Sequence, residues 1–115
     1  MVGTLFYGAI ATFPDAESAR GYAEFAGRVV SRVVSVGVSV GAVSGRVVAL
    51  NGVEGDPKVR FETQYAFLDR RAFEAYKKSD LAQKLRDEGK KIFGHKGVSF
   101  ELRTGSIENE TEPIR

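Results

Sequence analysis

The chain is 115 residues long, 43% apolar and 28% charged, with a formal net charge of +2. That length is most simply one domain, and folding removes roughly 65% of the unfolded surface of such a chain, so a core forms without covalent staples. The lack of cysteine excludes a disulfide scaffold, a thiol nucleophile and a thiolate metal site, and a two-charge excess of 17 basic over 15 acidic residues does not mark a nucleic-acid binder.

The amino-terminal stretch MVGTLFYGAIATFPDAES has neither the basic segment nor the long apolar core of a secretion signal. No stretch approaches the ~20 apolar residues of a membrane helix. A cytoplasmic protein is expected, and the glycosylation sequon Asn109-Glu110-Thr111 is read as accidental.

The first predicted strand is Leu5 to Phe13, apolar on both sides and therefore central in its sheet. Pro14 and Asp15 end it, and Asp15 is the expected N-cap of a helix running to about Ser35. Ala16, Ala19, Tyr22, Ala23, Ala26, Val29, Val30, Val33 and Val34 recur at three- and four-residue steps, one buried stripe. Glu24 and Arg28 can pair on the outer side.

Ser35 to Gly45 is uncharged Val, Ser and Gly, read as a loop entering a second strand, Ala42 to Leu50. Without a Lys-Ser/Thr ending it is not a phosphate loop. Asn51-Gly52 and Glu54-Gly55-Asp56-Pro57 mark a long hairpin turn. From Val59 to Leu68 the side chains alternate. Val59, Phe61, Thr63, Tyr65 and Phe67 oppose Arg60, Glu62 and Gln64, the pattern of a strand with one oily and one charged face.

Asp69 is the expected cap of a second helix, with Leu68 and Phe73 spaced as a hydrophobic staple. Phe73, Tyr76, Leu81 and Leu85 form its inward stripe, and Glu74 and Lys78 can pair outside. Asp80 and Gln83 resemble a capping box, so the helix is expected to break near Ser79 and restart, with Gly89 and Gly94 as candidate ends. The last strand runs from about Gly97 to Thr104, with Val98, Phe100 and Leu102 opposing Ser99, Glu101 and Arg103. Residues 1–106 form the domain, and 107–115 a polar tail.

The order β-α-β-β-α-β specifies a ferredoxin-like α+β sandwich, a four-stranded antiparallel sheet with two helices on one face. The helices are expected to cover Val59, Phe61, Tyr65, Phe67, Val98, Phe100 and Leu102. Arg60, Glu62, Gln64, Ser99, Glu101 and Arg103 then share the open face.

The stretch FETQYAFLDRRAFEAYKKSDLAQKLRDEGKKIFG, Phe61 to Gly94, joins an alternating strand to an aromatic helix with Tyr76, then Leu85-Arg86-Asp87-Glu88-Gly89 and Phe93-Gly94. In this the chain resembles the dimeric α/β-barrel group of ferredoxin-like proteins, and within it a small bacterial family of unknown function. The resemblance implies a homodimer or higher homo-oligomer packed through free sheet faces, and no specific reaction; the apolar edge strand Arg46 to Leu50 is an alternative or additional expected contact. Other members of the group are antibiotic-biosynthesis monooxygenases, haem-degrading monooxygenases and small isomerases. The haem-degrading type uses Asn, Trp and His together. This chain has no Trp and one His, His95, in a glycine-flanked turn, so no haem, metal or other cofactor is expected.

The candidate ligand-binding residues are Tyr7, Arg60, Glu62, Gln64, Glu101 and Arg103. Glu62 and Glu101 suit general-base work, Arg60 and Arg103 hold anions, and Gln64 orients. The same charges also make ordinary cross-strand pairs, worth about 0.2–1 kcal/mol each. The run Lys77, Lys78, Lys84, Arg86, Lys90, Lys91, Lys96 is interrupted by Asp80, Asp87 and Glu88, as on a solvated helix face. Stacking of RNA bases would need aromatics where Glu62 and Gln64 stand, so neither nucleic acid nor membrane is an expected partner. The preferred function is a small homo-oligomer binding a small molecule in a cavity between subunits. The alternatives are a cofactor-independent monooxygenase or isomerase using Glu62 or Tyr7 with Arg60, and an interaction module without catalysis.

Overall fold

In the computed structural model, which describes residues 3–108, the elements are β1 (Leu5–Phe13), α1 (Tyr22–Ser35), β2 (Ser44–Leu50), β3 (Val59–Phe67), α2 (Arg70–Lys77), α3 (Asp80–Phe93) and β4 (Ser99–Ser106). The strands form one antiparallel sheet in the order β2-β3-β1-β4. This is the ferredoxin-like plan that the element order specifies, with β1 and β3 at the centre and the helices on one face.

The register places Leu5, Tyr7, Ala11 and Phe13 beside Phe67, Tyr65, Phe61 and Val59. Their shared side is the core. At one end Leu5, Tyr65, Phe67, Phe73 and Leu85 pack with Val30 and Val33. At the other, Phe13, Tyr22, Phe25 and Phe93 interlock, with Phe13–Tyr22 and Tyr22–Phe93 centroids 5.0 and 5.2 Å apart. Phe25 belongs to the buried stripe of α1, whereas Ala16 and Ala23 are exposed.

Several boundaries differ from the sequence reading, for identifiable reasons. Asp15 caps a turn and not the helix. Its Oδ1 accepts from the Ser18 N–H at 2.8 Å, and Gly21, at φ 81°, separates that turn from α1. A left-handed residue is inexpensive only for glycine. Asp69 does cap α2, accepting from Ala72 N–H at 2.9 Å. The helix breaks where expected, but Ser79 is the new cap, accepting from Ala82 N–H at 3.1 Å. Gln83 bonds Asp87 and no capping box forms. Glu74 pairs with Lys77 at 3.3 Å and not with Lys78. Gly94 ends α3, its N–H reaching the Lys90 carbonyl at 2.9 Å, while Gly89 lies inside the helix.

Ala42 precedes β2, tied by its N–H to the Val33 carbonyl at the end of α1. β4 starts and ends two residues later than Gly97 to Thr104, and the Ile107 N–H bonds the Thr4 carbonyl beyond it. The sequon and the tail from Asn109 onward lie outside the described residues.

The largest departure concerns β4. Phe100 and Leu102 do point to the helix side, opposite Ala11 and Ala9. The helices do not cover them, and they remain 57% and 63% exposed. α1 and α2 lie over β2 and β3, leaving the β4 flank open. Among the described residues no helix is long and apolar enough to cross a membrane.

Candidate functional site

The sheet carries two separate candidate surfaces, and β1 and β3 contribute to both. On the helix side, Tyr7 and Tyr65 are register partners with nearly parallel rings, 6.2 Å between centroids and 12° between planes. The next pair along the same face is Ala9 with Thr63, and Leu102 flanks Ala9 on β4. These small residues between aromatics leave a hollow that α3 roofs with Leu85, Gly89 and Phe93. The resulting cavity is about 330 Å³, within the range of small-ligand pockets.

All four tyrosines of the chain, Tyr7, Tyr22, Tyr65 and Tyr76, line it. Burial pushes each phenol above its ordinary value of 10.0, most of all at Tyr65. The Arg86 charge partly offsets that rise at Tyr7 and Tyr76, as does the Thr63 hydroxyl at Tyr22. The hydroxyls therefore stay protonated at neutral pH and can donate to an oxygen in the cavity. Arg86 and Lys90 line the cavity from α3, one helical turn apart, and no carboxylate lines it.

The opposite face carries Phe6, Gly8 and Ile10 of β1 together with Arg60, Glu62 and Gln64 of β3. Glu62 is only 2% exposed. Its Oε2 accepts from Arg103 Nε at 2.9 Å and Nη2 at 2.5 Å, and its Oε1 accepts from the Gln64 amide at 2.7 Å. Gln64 in turn accepts from Arg46 Nε at 2.6 Å. A chain of polar contacts thus crosses the sheet from β2 to β4.

Gly8 makes that crossing feasible. It lies between Gln64 on β3 and Arg103 on β4, and a Cβ there would sit 2.6 Å from Glu62 Oε2. The carboxylate passes over bare backbone to reach its arginine. Desolvation pushes the Glu62 carboxyl up, but the bonds from Gln64 and Arg103 and the charges of Arg103 and Arg46 outweigh it. The net shift is below 4.5. A carboxylate held this way is a weak base with both oxygens engaged.

Of the six sequence candidates, Glu62, Gln64 and Arg103 come together. Arg60 turns to Asp56 at 3.8 Å, and Glu101 is exposed on β4. Tyr7 lies on the other face, so it cannot act in one site with Arg60 or Glu62. Phe6 does occupy the open face, but beneath the Arg103 guanidinium, 5.7 Å from its ring centroid, with Glu62 and Gln64 on the neighbouring strand. His95 is exposed in the turn after α3, and no cluster of metal-ligating side chains occurs among the described residues.

Arg86 and Lys90 are exposed, as the reading of a solvated run expects, but they also line the edge of the cavity, which that reading did not foresee. The available signal was their i, i+4 spacing beside Leu85 and Gly89, adjacent to the inward stripe of α3. The hollow was not foreseen either; its mark is the small pair Ala9 and Thr63 on a face where each other β1–β3 pair includes an aromatic.

No protein-family model matches the chain, and no curated protein matches it in sequence. Its fold is nevertheless shared with many solved structures. A dimeric ferredoxin-like protein from an uncultured marine organism superposes with a TM-score of 0.70 at 13% identity, over 95% of this chain and 99% of that one. A Deinococcus radiodurans protein provisionally described as an antibiotic biosynthesis monooxygenase gives 0.59 at 13% identity, over 96% and 98%. A Nitrosomonas europaea protein of unknown function gives 0.60 at 13% identity and spans 100% of both chains. At such identities the likeness is one of fold.

Proposed function

We propose that this chain binds a small, largely apolar molecule in the cavity between the sheet and α3, and that it does so as a homodimer joined through the open sheet face. The observation that carries the first part is the 330 Å³ hollow lined by four protonated phenols. Aromatic walls hold a flat apolar body, and the hydroxyls orient its oxygens. The dimer rests on the open face, where Phe6, Ile10, Val48 and Leu50 are only partly covered, and on the dimeric state given for one fold neighbour. The pocket in this reading lies within one subunit, not between two.

A cofactor-independent enzyme remains the second reading, favoured by Tyr7 in the cavity wall. Turnover would then use Tyr7 and its phenolic neighbours, while Glu62 and Arg60 would serve the dimer contact. The test is a titration with 2-naphthalenemethanol, followed by fluorescence, on the parent and on Ala9→Phe, which fills the hollow from its floor. Saturable binding that Ala9→Phe removes supports the cavity. Binding untouched by the substitution refutes it, as does a failure of both this alcohol and the matching carboxylate to bind. Light scattering tests the dimer, and a monomer at all accessible concentrations would refute that part.

A further inference from the structure

We infer that the occupant of this cavity is an anion, a flat apolar carboxylate or an acidic phenol or enol, with its charge seated between Arg86 and Lys90. The inference rests on the reading of the cavity as the ligand site and adds the charge of the ligand. Arg86 and Lys90 stand one turn apart on α3, both against the cavity. Most other arginines on the described surface are committed. Arg20, Arg28, Arg32, Arg60, Arg70 and Arg103 each have a carboxylate within 4.0 Å.

Arg86 and Lys90 have none among the described residues, although two carboxylates lie between them in sequence. Glu88 is held by Arg32 at 3.2 Å, and Asp87 takes the Gln83 amide at 2.9 Å. Arg86 itself reaches only the Gln83 side-chain oxygen, at 3.2 Å. The edge of the cavity thus offers two solvent-exposed cations outside ion pairs and no carboxylate to repel a negative ligand.

The polar groups deeper in point the same way. The hydroxyls of Tyr7 and Tyr76 feel the charge of Arg86 and remain donors. A phenolate or carboxylate oxygen is a stronger acceptor than a neutral one, so donors and cations select the same ligand. The lining also contains no histidine or carboxylate to remove a proton. A ligand that needs to be ionised must therefore arrive ionised, or have its acidity raised by the two cations.

The experiment compares 2-naphthoate with the isosteric neutral 2-naphthalenemethanol by calorimetry. The parent protein is expected to bind the carboxylate at least about tenfold more tightly, the order expected of one charge-assisted contact. Arg86→Gln should bring the carboxylate close to the affinity of the alcohol, and Lys90→Gln should do so in part. Added salt should weaken the carboxylate alone. Equal affinities in the parent, or a carboxylate preference that survives Arg86→Gln, overturn the anion inference while leaving the cavity reading intact. Carboxylate binding that persists in Ala9→Phe places the anion elsewhere and overturns it too. If neither compound binds, both readings fail together.

Discussion

Replacing Arg103 by leucine tests whether the carboxylate on the open sheet face depends on one partner. Glu62 is 2% exposed, and Arg103 supplies both bonds to its Oε2. The leucine removes both and leaves only the Gln64 amide on Oε1. Losing one partner of a fully buried ion pair costs about 3–5 kcal/mol. The Arg103 side chain is itself 51% exposed, so water can enter the space it vacates. The expected loss at neutral pH is therefore about 2 kcal/mol, the range for an unsatisfied buried acceptor.

The sign of the pH dependence makes this prediction specific. In the parent, Glu62 titrates below 4.5, so its contribution is present above that value and is lost as pH falls through its folded pKa. In Arg103→Leu the upward push of burial loses most of its opposition, and the carboxyl rises. Protonation then relieves the variant as pH falls, so its deficit shrinks toward about pH 4. Equilibrium urea unfolding at fixed protein concentration measures this, the concentration being held because association would shift stability. A deficit under about 0.5 kcal/mol at neutral pH, ordinary for a surface change, or one of equal size at both pH values, would refute the reasoning.

Gly8→Ala should displace Glu62 from Arg103, because the new Cβ falls 2.6 Å from Oε2 and 3.0 Å from the Phe6 ring. Alanine otherwise suits a strand better than glycine by about 0.5–1 kcal/mol. The substitution is thus expected to destabilise the parent by about 1 kcal/mol and to be neutral or stabilising in Arg103→Leu, and a double-mutant cycle in urea decides. The four phenols, all raised above 10.0, stabilise the fold fully below that pH, and the contribution is lost as pH climbs through their folded values. Ultraviolet titration should therefore show tyrosine ionisation coinciding with alkaline unfolding. Independent ionisation of folded protein near 10 would contradict their burial. Ser79→Ala should cost about 1 kcal/mol by removing the cap of α3, measured by thermal unfolding.

The alternation from Val59 to Phe67 was legible because a period of two is imposed by the backbone itself, whatever packs on either side. The helix break at Ser79 was legible for a similar local reason, since Ser and Asp favour caps by bonding nearby N–H groups. The start of α1 was not, because Asp15 satisfies a turn as readily as a helix and only Gly21 decides between them. The cavity was less visible still. It arises where Ala9 and Thr63 become neighbours, 54 residues apart in the chain, under a helix whose position depends on the whole core. The partnership of Glu62 with Arg103 is likewise diagonal, across an intervening strand, and depends on a glycine that sequence periodicity treats as a neutral position.

β4 is the last strand among the described residues, stands at the sheet edge, and is exposed on both sides along its whole length. It nevertheless supplies the cover for Glu62 through Arg103 and one wall of the cavity through Phe100 and Leu102. Fraying of this one strand would therefore hydrate a carboxylate on one face and remove a wall of the cavity on the other in the same event. The two faces are thus coupled through a single strand, whose opening frequency is readable in the amide exchange of Ser99–Ser106. A contact that pins the open face would therefore also steady the cavity wall on the opposite face, without touching it.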